Sequence, residues 1–295
     1  MKTQLVFMPG RGRYHKDAAA LKTEWLDALG EGLAKRGLTL PVNAAEVRFP
    51  DYTAVLREIV ADSDEAAVAD VIIRRAGEDP TQQAFFAEVL DELRSREGID
   101  MARLEAIAGA AVLESGPLSV QWLQGILTAV TACVPAANSA RIALAINDLY
   151  QYLYNVAFRQ AINDDARRSI ALGRPTVLVS HSLGALIAYE LVSGDPRANQ
   201  WVIPLWVTLG APLGINAVRK RLNPLVHPGC VAHWFNAIDA LDTVALYPLT
   251  AERFDVQPPV DNKTDVANES ANRHDFAGYL RDADVAARIH AALTA

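Results

Sequence analysis

The sequence predicts an α/β fold: a truncated, mostly parallel sheet flanked by helices, with a helical insertion before its third strand. Three observations carry this. Short runs rich in β-branched and aromatic residues recur along the chain, each ending in turn residues. The runs at 176–180 and 205–209 are almost continuously apolar, as strands covered on both faces must be; a strand with one wet face alternates instead. Helical periodicity separates most of these runs, and strands that alternate with helices build parallel sheets.

The first strand is expected at 4–8, where Pro9-Gly10 stops it. Leu21, Trp25, Leu29 and Leu33 then recur every four residues, which is one face of a helix, and Gly37 closes it. A second strand is expected at 46–49. From Pro50 to Pro175 the alternation fails, and helices are expected at 82–96, 101–113, 120–134 and 141–162. Residues 53–170 therefore read as a helical insertion within one domain spanning 1–295. The third strand, 176–180, leads into a helix at 183–192 that Gly194-Asp195-Pro196 ends. Strands at 205–209 and 231–238 follow. Residues 257–272, with Pro258-Pro259 and a polar run, read as a long loop, and such loops in compact domains are usually functional or mobile.

Composition narrows the function classes. Lys and Arg number 28 against 35 Asp and Glu, a net charge of −7, which argues against nucleic acid or polyphosphate as a partner. With 51% hydrophobic and 21% charged residues, the chain has enough apolar surface to offset its conformational entropy, so extensive disorder is excluded. Cys133 and Cys230 lie far apart, with no Cys-x-x-Cys or Cys/His cluster, so neither a disulfide framework nor a metal site is expected. The N-terminal apolar run is too short for a secretory segment, and the cytoplasm is the expected compartment. Residues 115–140 carry no charge, which is long enough to raise a membrane span. Ser119, Gln121, Gln124, Thr128 and Thr131 dilute the stretch and Pro117, Gly125 and Pro135 punctuate it, so no integral span is expected.

The segment 176–189 bears the chemistry. A strand runs into Ser180-His181-Ser182-Leu183-Gly184 and directly into a helix. This resembles the nucleophile elbow of the α/β-hydrolase superfamily, in which a strained turn lifts a serine to the carboxyl edge of the sheet. The resemblance makes Ser182 the nucleophile. Small residues must flank such a turn; Gly184 fits, and Ser180 stands where the first glycine of Gly-x-Ser-x-Gly is usual. Ser180 is the rival serine, inside the last turn of the strand. The bland alternative is a serine that only caps the following helix.

A serine hydroxyl needs a base within hydrogen-bond reach, and the base needs an orienting acid. In α/β hydrolases the chain order is serine, acid, histidine. Downstream of Ser182, His290 sits on an amphipathic terminal helix and His233 within an apolar strand, where a buried, hydrogen-bonded histidine is the common outcome. His227 precedes that strand, at its wrong end. His274 remains, on a loop beyond the last strand, where the resemblance places the base. After residues 231–238 come Asp239 and Asp242, both at the carboxyl end of the strand. The Asp-x-Val pattern starting at Asp242 resembles the acid loop of esterases and lipases, which favours Asp242, with Asp239 as second choice and expected to tie down the turn.

At the end of the first strand, Phe-Met-Pro-Gly-Arg-Gly occupies residues 7–12, where relatives have His-Gly after the strand. Pro9 replaces the histidine, so the motif is half kept. The backbone N–H groups of Arg11 and Leu183 are the expected oxyanion hole. Thr208-Leu-Gly-Ala-Pro212 resembles the Gly-x-Pro turn that lines lipase-like sites, or is a plain strand-ending turn. The resemblance implies an ester hydrolase of the carboxylesterase or lipase kind, acting on a small acyl substrate through an acyl-enzyme, with no cofactor. Peptidase or thioesterase chemistry on the same residues is the alternative, as is a binding protein on an inactive hydrolase fold. The uncharged stretch, with Trp122, Leu123, Ile126, Leu127 and Val130, is a lid face for acyl chains, the core of the insertion or a homodimer contact.

Overall fold

Five parallel strands form one sheet in the computed structural model, which describes residues 2–11, 17–52, 65–135 and 137–295. They are β1 (Gln4–Met8), β2 (Pro175–His181), β3 (Val202–Leu209), β4 (Trp234–Ala237) and β5 (Asp261–Lys263), hydrogen-bonded in that order. Every pairing is parallel. The protein is thus an α/β protein with an all-parallel sheet flanked by helices. Two compact units divide the chain: Met1–Glu58, Ala157–Gly214 and Asn223–Ala295 form the first, which holds the sheet, and Ile59–Val156 with Ile215–Leu222 form the second.

Side-chain alternation assigns the two faces of the sheet. Leu5, Phe7, Val177, Val179, Val207, Leu209 and Phe235 join one buried cluster with Trp25, Leu29, Val285 and Ile289. Those last four lie on α1 (Ala18–Ala34) and on the C-terminal helix (Ala283–Thr294), so these helices cover that face. Asp17 caps α1 by accepting from the N–H of Ala20, and Gly37, at φ +66°, ends the turn that follows. The intervening strand residues point the other way. There the helix Leu183–Gly194 packs on β1 and β2, and its Tyr189 ring meets those of Trp206 and Trp234.

Residues 46–49, expected as a strand, do not form one. They make a single parallel bridge, Val6 to Arg48, outside β1, because a 3₁₀ turn ends at Glu46 and Pro50 cannot donate to a ladder. The bridge still governs topology. The chain leaves β1 on one side, returns to β2 on the other, and so reverses direction at β1. In open parallel sheets the crevice for a ligand lies outside the strand carboxyl ends at such a reversal. Those ends carry Pro9-Gly10-Arg11 and Ser182.

Residues 257–272, expected from the sequence as one long loop, contain a short strand. Its three residues Asp261–Lys263 form β5. Their polarity conceals a strand because a polar row crosses the sheet there: Ser180, Thr208, Asn236 and Asn262 are register partners on successive strands. Thr208 donates to Asn236 Oδ1 at 2.8 Å, and Asn236 Nδ2 donates to Asn262 Oδ1 at 3.0 Å. The last strand is held by amide contacts where an apolar side chain is the usual device.

The second unit is helical among its described residues. It contains Glu65–Ala76, Pro80–Arg96, Met101–Ala108, Ala110–Glu114, Val120–Cys133 and Ser139–Tyr154, joined by Asn216–Leu222 from beyond β3. The helix expected at 101–113 is broken at Gly109, whose φ is +91°. The helix expected at 141–162 is broken at Asn155, and its second half, Val156–Ser169, lies in the first unit apart from Val156. The helix Glu65–Ala76 was not anticipated, and residues 53–64 of the expected insertion lie outside the described residues. Within the unit, Val120–Cys133 packs on Glu65–Ala76, Pro80–Arg96, Met101–Ala108 and Ser139–Tyr154. Its Leu123, Ile126 and Val130 are fully buried, and Trp122 and Leu127 nearly so. Packing on several helices of its own unit accounts for the absence of charge there. Among the described residues no helix is long and apolar enough to cross a membrane.

Candidate active site

The site is built at the carboxyl ends of β1, β2 and β4. Ser182 follows β2 with φ +55° and ψ −129°, alone among the described non-glycine residues in having a positive φ. Holding a side-chain-bearing residue there costs about 1–3 kcal/mol, which the surroundings must supply. They do so through the backbone: Ser182 N–H donates to Leu209 at 3.1 Å, and the Ser182 carbonyl accepts from Ala185 at 2.9 Å. Its side chain makes no capping bond to the helix, contrary to the capping alternative.

The hydroxyl faces His274. Ser182 Oγ lies 2.7 Å from His274 Nε2, and His274 Nδ1 lies 2.7 Å from Asp242 Oδ2. Asp242 is fully buried, and the His274 side chain keeps 15% of its surface exposed. A carboxylate accepts only, so the proton of the second bond sits on Nδ1, and Nε2 faces Ser182 as the acceptor. Burial pushes the Asp242 carboxyl up, but the charge of His274 and hydrogen bonds from His274, Tyr279 and Val244 outweigh it and hold the carboxyl below its ordinary value. The other oxygen, Oδ1, accepts the N–H groups of Val244 and Ala245 at 2.7 and 3.0 Å, which turns the Asp-x-Val pattern into an anchor for the carboxylate.

Asp239 has a different place. Its Oδ1 accepts from Leu241 N–H at 2.7 Å and its Oδ2 from Asn268 N–H at 2.8 Å. Asn268, fully buried, donates through Nδ2 to the carbonyls of Arg273 and Asp275, which flank His274. Asp239 therefore ties the turn that carries Asp242 to the loop that carries His274.

Backbone surrounds the hydroxyl closely. A Cβ on Gly10 would stand 2.7 Å from Ser182 Cβ and 3.1 Å from Oγ. The Tyr52 hydroxyl donates to the Pro9 carbonyl at 2.6 Å and holds this passage of chain in place. Leu183 opens a helix, so its N–H has no acceptor within that helix, and Arg11 follows Gly10 beside the serine. Gly12, the last residue of the motif at 7–12, lies outside the described residues. On the far side Gly210, at φ +53°, backs the pair, since a Cβ there would lie 3.3 Å from His274 Cε1 and 3.1 Å from Asp242 Oδ2. The turn Thr208-Leu-Gly-Ala-Pro212 thus forms a wall of the site.

The remaining sequence candidates are elsewhere. Ser180 is fully buried, accepts from Trp206 Nε1 at 2.8 Å and donates to the Val207 carbonyl at 3.2 Å, so its hydroxyl is committed to the sheet. His233, expected buried within a strand, is exposed, because β4 begins only at Trp234. His227 packs beside Trp234, ring centroids 6.0 Å apart, and His290 is on the C-terminal helix. Among the described residues no three His, Cys, Asp or Glu are grouped to hold a metal ion.

Sequence reasoning missed His181 and Tyr279. Tyr279 donates to Asp242 Oδ2 at 2.7 Å and accepts from Asp239 N–H at 3.1 Å, joining both aspartates. Its signal was faint: an aromatic in an apolar helical run five positions after His274 reads as core. His181 was in plain view beside Ser182 but points away from it, into the protein. No family model, no curated protein and no solved structure matches the chain.

Proposed function

We infer that the protein is a serine hydrolase of the α/β-hydrolase kind, cleaving carboxylic esters through an acyl-enzyme. The observation that carries this reading is the bonded sequence Ser182–His274–Asp242 at the carboxyl edge of the sheet, with Ser182 in a strained turn. Ser182 Oγ attacks the acyl carbon while His274 Nε2 takes its proton. The imidazolium is stabilised by the buried Asp242, and His274 returns the proton to the leaving alkoxide. The N–H groups of Leu183 and Arg11 face the developing oxyanion. Water then repeats the sequence and frees the acid and Ser182. Esters are the first substrate class to test because an alkoxide or phenolate leaves with less help from the acid than an amine does.

The test is covalent labelling with a fluorophosphonate, together with turnover of p-nitrophenyl acetate. Wild type is expected to take up one label, at Ser182, and to show burst kinetics. Ser182→Ala should abolish both with its circular dichroism spectrum unchanged. Labelling at Ser180, or an unlabelled wild type that is fully folded, would overturn the reading.

A further inference from the structure

His181 is the last residue of β2, immediately before Ser182, and is 7% exposed. Its Nε2 is 2.8 Å from the main-chain carbonyl of His274, 93 residues along the chain. A carbonyl only accepts, so His181 carries its proton on Nε2 and donates. The two imidazole rings lie 4.7 Å apart at 37°, and Trp25, Phe276 and Tyr279 enclose His181 on its other sides at 6.1–6.3 Å. Contact with four rings leaves the donor little freedom to turn. The same short segment therefore carries the nucleophile on one residue and grips the base by its backbone with the residue before it.

We propose that His181 is a positioning residue for the base: its Nε2–H holds the His274 carbonyl and so sets the imidazole between Ser182 and Asp242. The proposal rests on the serine-hydrolase reading, and it adds a function for the residue preceding the serine. The other backbone supports of His274 come from within its own loop. Asn272 Oδ1 accepts the His274 N–H at 3.2 Å, and Asn268 holds the neighbouring carbonyls, so the His274 carbonyl is the point at which the loop is joined to β2. Burial, with His274 adding to it, pushes the His181 imidazole down to about 3. The ring stays neutral at neutral pH and presents no like charge when His274 takes up a proton.

The test contrasts His181→Phe, which keeps a ring and loses the donor, with His181→Gln, whose amide N–H reaches toward the same carbonyl. Displacing a catalytic group by about 1 Å costs up to a hundredfold in rate. The Phe variant is accordingly expected to lose between about tenfold and a hundredfold in kcat, with KM within about twofold, and Gln is expected to recover most of it. A readout independent of substrate is the far-downfield proton resonance of the His274–Asp242 bond, expected to broaden or vanish in Phe and persist in Gln. Should the Phe variant fail to fold, His181→Asn, whose amide falls short of the carbonyl, replaces it in the same contrast. Equal loss in Gln and Phe, or wild-type kcat and resonance in Phe, overturns the proposal. Failure of the parent reading is separate: it appears in the wild type, as absent labelling at Ser182.

Discussion

Gly184 lies against the end of β1 so closely that a Cβ on it would stand 2.7 Å from the carbonyl carbon of Met8, and nearer still to its oxygen. The first turn of the helix after Ser182 is thereby pressed on the strand that leads to Gly10 and Arg11. Only a residue without a side chain permits this, because the obstacle is backbone and cannot rotate aside. Gly184→Ala is expected to lose at least the ~1–3 kcal/mol typical of overpacked interiors. Urea unfolding measures it, and an unchanged midpoint would mean that the approach is looser than described.

The two aspartates should separate in kinetics. Asp242→Asn removes the acceptor of the His274 Nδ1–H bond, a change that costs about 10⁴ in turnover in an established triad. Asp239→Asn loosens the anchorage of Asn268 and should lower the unfolding temperature, with a far smaller kinetic loss. Steady-state kinetics of the two variants decides; the reverse ranking would pass the acid role to Asp239.

Tyr279→Phe tests the link between them. It removes a donor to Asp242 and leaves the Asp239 N–H without its acceptor, both buried. A stability loss of ~1–3 kcal/mol is expected, as for an orphaned buried group, and the carboxyl of Asp242 should rise toward its ordinary value. Thermal unfolding combined with the acid limb of kcat/KM reads both; no change in either would remove Tyr279 from the site's support.

His181 makes the fold sensitive to acid. In the unfolded chain a histidine titrates near ~6.5, whereas here burial pushes it down to about 3. Between these values the unfolded state binds a proton that the folded state refuses, so stability rises with pH across the window and is lost as pH falls from 6.5 toward 3. Well inside the window the loss approaches ~1.4 kcal/mol per pH unit. His181→Gln should flatten the unfolding free energy between about pH 6 and pH 4 by this amount. Asp242, held low, contributes stability that is present above its unfolded value and lost below it, and this is common to both proteins. Parallel slopes for variant and wild type would refute the assignment.

Trp122 is nearly buried in a helix that packs on several others of the second unit. Trp122→Ala should then cost about 3–5 kcal/mol, as aromatic deletions from cores do. Denaturant titration followed by far-ultraviolet circular dichroism is the measurement. A loss under about 1 kcal/mol would mean that the uncharged stretch is not core.

What the sequence by itself determined are features set by neighbours along the chain. Alternation and apolar continuity marked β1, β2 and β3; four-residue spacing marked α1; and the passage from strand through Ser182 to helix singled out one serine, because a strained turn needs small flanking residues within two positions. His274 and Asp242 are reached only with the help of a resemblance, since His274 is 92 residues from Ser182 and 32 from Asp242, distances over which no local pattern carries information. Tertiary structure alone decided the rest. It separated Asp242 from Asp239 by which loop each carboxylate reaches, made a strand of polar Asp261–Lys263 by supplying Asn236 as a partner, and withheld one from 46–49 where Pro50 offers no donor. It also turned His181 inward to the carbonyl of His274. In each case the deciding factor is a hydrogen bond made or withheld between groups distant in sequence, which meet only once the sheet has formed.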